Sequence, residues 1–170
     1  MNRSLCFVLS AAALSVSVAI AANDPGSQVG AWEVRISPDG SASATAPSTG
    51  SAEGGRIYYM CIAKLDGCKW LIVAPAAKCV EGAQTQVYLR GVSSPRLISA
   101  TCAFVQRAPI LTLDESPGRA QSASVQDLIT ATIPSFLGGV VTYSFSDEGG
   151  AEAVKRAREH FLSKTAKTPQ

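Results

Sequence analysis

Hydrophobic and polar positions alternate with a period of two along most of the first two-thirds of the chain, which predicts strands. Gly30-Ala31-Trp32-Glu33-Val34-Arg35-Ile36 sets Trp32, Val34 and Ile36 on one side. In Arg56 to Lys64, Ile57, Tyr59 and Cys61 face one way and Tyr58, Met60 and Ile62 the other. Both sides are apolar there, the mark of a strand covered on two faces. Asp66-Gly67 is a hairpin turn signal, and Cys68 to Ala74 is the returning strand, stopped at Pro75. Thr85 to Arg90 turns Val87 and Leu89 inward. Leu97 to Val105 carries Ile98, Ala100, Cys102 and Phe104 on one face. Pro109 to Leu113 is a short strand, ended by the turn residues Asp114 to Gly118.

Beyond Ser124 the period changes. Val125, Leu128, Ile129 and Thr132 fall at helical spacing, with Ser124 as N-cap and Asp127 at the capping-box position. Pro134 ends this expected helix, and Gly139 to Ser146 returns to alternation. A second helix is expected over Glu152 to Lys164, with an apolar stripe of Val154, Ala157, Phe161 and Leu162. Glu152–Arg156 and Lys155–Glu159 are i,i+4 pairs of opposite sign on it. Residues 37–55 are almost all Ser, Ala, Thr, Gly and Pro, and read as a flexible loop with room for an edge strand. The order predicts an α+β domain: an antiparallel sheet of about six or seven strands, with two C-terminal helices covering one face.

Composition adds the compartment. The 170 residues are 46% apolar and 16% charged, which fits one globular domain and excludes a disordered tail. Arg3, the charge-free run Leu5 to Ile20 and the small residues around Ala21 read as a signal peptide over 1–22, cleaved after Ala21 or Ala22. The mature domain, 23–170, is then periplasmic or secreted and has no transmembrane anchor. It carries 14 Lys and Arg against 13 Asp and Glu, a net charge of +1 that gives no electrostatic case for nucleic acid.

Cys61, Cys68, Cys79 and Cys102 remain after cleavage, and an even number in an exported chain reads as two disulfides. Three pairings are open; placement on neighbouring strands favours Cys61–Cys68 and Cys79–Cys102. The spacing suits no zinc site, so neither metal nor cofactor is expected. His160, the one histidine, sits on a solvated helix as a surface or rim residue. The acidic doublets Asp114-Glu115 and Asp147-Glu148 are candidates for a carboxylate pair, each beside turn residues that favour acids locally. Lys155, Arg156 and Arg158 form a candidate interaction surface on the last helix.

The opening G-x-W-x-V at Gly30, Trp32 and Val34, with the closing strand and Ala-rich helix, resembles the invasion-associated locus B family of bacterial periplasmic proteins. The likeness covers a handful of residues at each end. Together these readings predict an exported, non-catalytic domain that binds a protein or cell-envelope partner. The alternatives are a small carboxylate-dependent hydrolase acting on cell-wall or glycan material, or an invasion-associated-type envelope protein.

Overall fold

A computed structural model describes residues 26–50, 52–62, 67–91, 95–114 and 128–165. The expected signal peptide and the expected N-cap at Ser124 lie outside these residues. Among the described residues no helix is long and apolar enough to cross a membrane.

Among the described residues ten strands form one antiparallel sheet: β1 (Ser27–Val29), β2 (Trp32–Ile36), β3 (Ala42–Pro47), β4 (Arg56–Cys61), β5 (Cys68–Val73), β6 (Gln84–Arg90), β7 (Arg96–Val105), β8 (Ala108–Leu113), β9 (Leu128–Pro134) and β10 (Val140–Ser146). The helix α1 (Gly150–Thr165) follows. The spatial order is β1-β2-β3-β4-β5-β8-β7-β6-β9-β10. The sheet curls until its far side approaches β3. Ser48 bridges Phe145, and Thr49 N–H donates to Ser144 O at 2.7 Å. The curl encloses a core of Ile57, Ile72, Val87, Leu89, Ile98, Leu111, Ile133, Tyr143 and Phe145, all buried.

This corrects the expectation of six or seven strands and two helices. The segment expected as the first helix ends in β9, whose Ile129, Ala131 and Ile133 are buried in strict alternation. Leu128-Ile129-Thr130-Ala131-Thr132-Ile133 fits both periods. Its β-branched residues and two paired neighbours, β6 and β10, decide for strand. Residues 37–55, expected as a loop, contain β3, which lies between β2 and β4 rather than at an edge. Ala42, Ala44 and Ala46 are its buried face. Alanine carries a weak hydrophobic signal, so its alternation is easily taken for low complexity.

The helix covers the inner face at β1 to β4, where the curl alone leaves it open. It buries Gly150, Ala153, Ala157 and Phe161, while Leu162, expected in the stripe, is exposed. Small residues on α1 meet alanines on β3, so the helix can lie close to the sheet. Trp32 is wholly buried beneath it, with its Nε1–H donating to Ser146 O at 2.9 Å.

Candidate functional site

Residues that alternate along a strand point to opposite faces, so burying Ile57, Tyr59 and Cys61 turns Tyr58 and Met60 outward. The pairing register extends that outward set across four adjacent strands. Tyr58 stands opposite Leu71, Met60 opposite Lys69, Leu71 opposite Thr112, and Val73 opposite Ile110. Ile110 in turn stands opposite Ala103, and Ala108 opposite Val105. The result is an apolar groove of about 480 Å³ on the outer face of β4, β5, β8 and β7. Its lining side chains offer few polar atoms: Lys69 Nζ, the Tyr58 hydroxyl and the Thr112 hydroxyl.

Among the described residues, Lys69 is the one charged residue lining the groove, and no acid lines it. At the Lys69 end, Met60 and Ile62 also line a second hollow of about 310 Å³. That hollow is more polar than the groove, with Arg35, Ser37, Asp39, Ser41 and Ser43 in its walls beside Ala42, Met60, Cys61 and Ile62. Arg35 Nε contacts Glu33 Oε1 at 2.7 Å, and this partner holds its guanidinium above the ordinary range. Asp39 is occupied locally: its carboxylate accepts from Ser41 N at 2.9 Å and Ser41 Oγ at 3.2 Å. Outward residues next to the apolar stripe are polar, with Glu33, Arg35 and Ser43 on one side and Ser99, Thr101 and Gln86 on the other, and beyond the latter Tyr88 and Leu97 stand opposite each other as exposed apolar residues.

Sequence reasoning saw the two-sided apolar character of Tyr58, Met60 and Ile62 but took it for a second buried face. The groove is the other outcome of the same signal, a second face half-covered and left open.

Of the four cysteines, Cys61 and Cys68 are joined. They stand directly opposite each other at the end of the β4–β5 pair, beside the groove. The expected second bridge is absent: Cys79 and Cys102 are free thiols. They are not on neighbouring strands as supposed. Cys102 is buried on β7, and Cys79 lies in the connection between β5 and β6. Burial, reinforced by hydrogen bonding to Cys102, pushes the Cys79 thiol up to about 12.

The other candidates scatter. Arg156 Nε pairs with Glu152 at 2.9 Å and Lys155 with Glu159 at 4.0 Å, the two i,i+4 pairs read from the sequence. Both pairs are exposed, and Arg158 is exposed beside them. Much of the basic character of Lys155 and Arg156 is therefore met within the helix. His160 is half-buried, and its Nε2 has no partner among the described residues. Asp114 is exposed at the end of β8, while Asp147 and Glu148 follow β10, four places away in the strand order. Glu115 lies outside the described residues. Backbone carbonyls of the second doublet are structural: Glu148 O accepts from Ala31 N, and Asp147 O from Gly150 N.

No family model matches the chain, and no curated protein matches it. Among solved structures, the crystal structure of invasion associated protein B from Bartonella henselae is similar. It aligns with a TM-score of 0.55 at 12% identity, over 82% of this chain and 98% of that one. The likeness is one of fold.

Proposed function

We propose that this protein is an exported, non-catalytic binding module that engages a protein or cell-envelope partner through the groove on β4, β5, β8 and β7. One observation carries the reading. The outward residues of a curled sheet are ordinarily polar, yet here Tyr58, Met60, Leu71, Val73 and Ile110 form a continuous apolar hollow. A concave apolar site with few polar groups is the common form of a ligand site. The fold shared with an invasion associated protein supports an envelope role, and periplasmic or secreted localisation is part of the proposal.

The test is site-specific crosslinking in the native cell. A photoreactive residue at Leu71 or Ile110 is expected to capture an envelope component. The same group at Gln86, outward-facing two strands beyond β8, is expected to capture little. Equal capture at all three positions, or none at Leu71 and Ile110, overturns the reading. Export is tested separately by N-terminal sequencing of the cellular protein, expected to begin at Ala22 or Asn23.

A further inference from the structure

The groove is polar at one end and apolar along the rest, and this polarity is informative about its occupant. Lys69 lies opposite Met60 at the end that adjoins the hollow of Arg35, Ser37, Asp39, Ser41 and Ser43. From Lys69 to Val73 the outward side chains run Lys, Leu, Val, and the neighbouring strands add Tyr58, Ile110, Ala103 and Val105. At the rise of a strand, this stretch spans about 13 Å. We propose that the groove binds a single-chain alkyl carboxylate, with its chain on the apolar floor and its carboxylate at Lys69. The proposal rests on the groove being the binding surface and names the ligand class that it takes.

Three observations select this occupant. The first is the cation. Among the described residues no carboxylate pairs with Lys69, and its ammonium is the cation that lines the groove. An anion placed there adjoins the hollow of Arg35 and the serines, where the one acid, Asp39, is already bonded to Ser41.

The second is the lack of backbone partners. Strands β4, β5, β8 and β7 each have a neighbour on both sides. None offers a free edge to which a peptide could add as a further strand. A peptide laid across this floor would bury N–H and C=O groups against side chains that cannot pair them, at a cost of roughly 1–3 kcal/mol per group. A hydrocarbon chain has no such groups.

The third is extent. A stable dimer interface buries about 800 Å² on each partner. The apolar stripe here is four strands wide, bordered by Glu33, Arg35 and Ser43 on one side and separated on the other from the exposed Tyr88 and Leu97 by Ser99, Thr101 and Gln86. A second copy packed on it would bury those polar groups as well. A groove of about 480 Å³ falls instead in the range of small-ligand sites, roughly 300–1,000 Å³.

The experiment is titration calorimetry and native mass spectrometry of the purified protein with dodecanoate, dodecanol and dodecyltrimethylammonium, below their micelle-forming concentrations. Dodecanoate is expected to bind one to one. Dodecanol is expected to bind at least tenfold more weakly, and the cation not measurably. Lys69→Ala is expected to weaken dodecanoate about tenfold and to erase its advantage over dodecanol. Val105→Glu, at a position already 56% exposed and so tolerant of change, is expected to abolish binding with the circular dichroism spectrum unchanged. Leu71→Glu is the second such variant. No saturable binding of dodecanoate overturns the proposal. So does binding that Val105→Glu and Leu71→Glu leave intact, or equal affinity for dodecanoate and dodecanol in the unmodified protein. If dodecanoate fails while Leu71 still crosslinks to an envelope component, the ligand class is wrong and the groove reading stands. If both fail, the groove is not the binding surface.

Discussion

Two residues at the mouth of the groove hold a backbone conformation that their side chains disfavour. Gln106 and Arg107 make the two-residue turn between β7 and β8, with φ of 50° and 71°. A hairpin of this kind asks for positive φ at both positions, which Asn-Gly satisfies and Gln-Arg does not. The cost is about 1–2 kcal/mol per residue. Replacing the pair by Gln106→Asn with Arg107→Gly is therefore expected to raise the unfolding free energy by about 1–2 kcal/mol, read from urea denaturation. An unchanged or lower stability shows that the turn is not strained as drawn. The opposite case is Gly149, at φ 77°. Its α-carbon faces the carbonyl of Val29, and Gly30 in the facing turn meets the carbonyl of Glu148 in the same way. This contact locks the β1–β2 turn to the start of α1. Gly149→Ala places a methyl against a backbone oxygen and in a disfavoured φ region together. A loss of more than about 2 kcal/mol is expected in the same assay.

At the scale of elements, the Cys61–Cys68 bridge ties β4 to β5 where the groove meets its polar hollow. It closes a separation of seven residues. A loop so short limits the entropic stabilisation to about 2 kcal/mol. The Cys61→Ala, Cys68→Ala double variant is expected to lose about that much on urea denaturation and to remain folded. Complete unfolding at neutral pH shows that the bridge holds more than one hairpin.

Elements also show what the sequence discloses and why. Strands with bulky alternating residues, such as Trp32-Glu33-Val34 and Thr85 to Arg90, were legible because one face differs sharply from the other. Strand β3 was not, since alanine suffices where a helix presses close, and its alternation reads as a bland tract. Strand β9 was ambiguous, and the choice between helix and strand fell to pairing partners far along the chain. The groove was visible only as a two-sided apolar strand. Whether that second face is covered or open depends on the whole topology, not on Arg56 to Lys64 themselves. The basic triad on α1 was plain in the sequence, but two of its three cations, Lys155 and Arg156, are paired with Glu159 and Glu152, which limits what it can attract.

For the molecule as a whole, the core and the groove share one sheet, so conditions that loosen the core also reshape the binding face. Three acidic groups make the alkaline side the vulnerable one. Burial raises the Tyr59 phenol above the usual tyrosine range, partly opposed by Arg158, and it raises Tyr143 as well, against the bond that the Tyr143 hydroxyl accepts from Ala76 N–H. Burial likewise carries Cys79 from an ordinary 9.0 to about 12. For each group the native state holds its proton to a higher pH than the unfolded chain does. The stabilisation is thus complete below the unfolded value and is lost as pH rises towards the native one. Stability should be level from pH 7 to about 8.5, then fall from about pH 9 as Cys79 ionises in the unfolded chain, and more steeply from about pH 10 as the tyrosines follow. Urea midpoints measured across pH 7 to 11 test this, and Cys79→Ser should move the onset up to the tyrosine range. The same thiol should alkylate slowly in the folded protein at pH 8 and rapidly once unfolded, because little of it is thiolate. A midpoint that stays flat through pH 11 sinks the assignment. Dodecanoate at saturation should raise the midpoint at neutral pH, since it binds only the folded sheet.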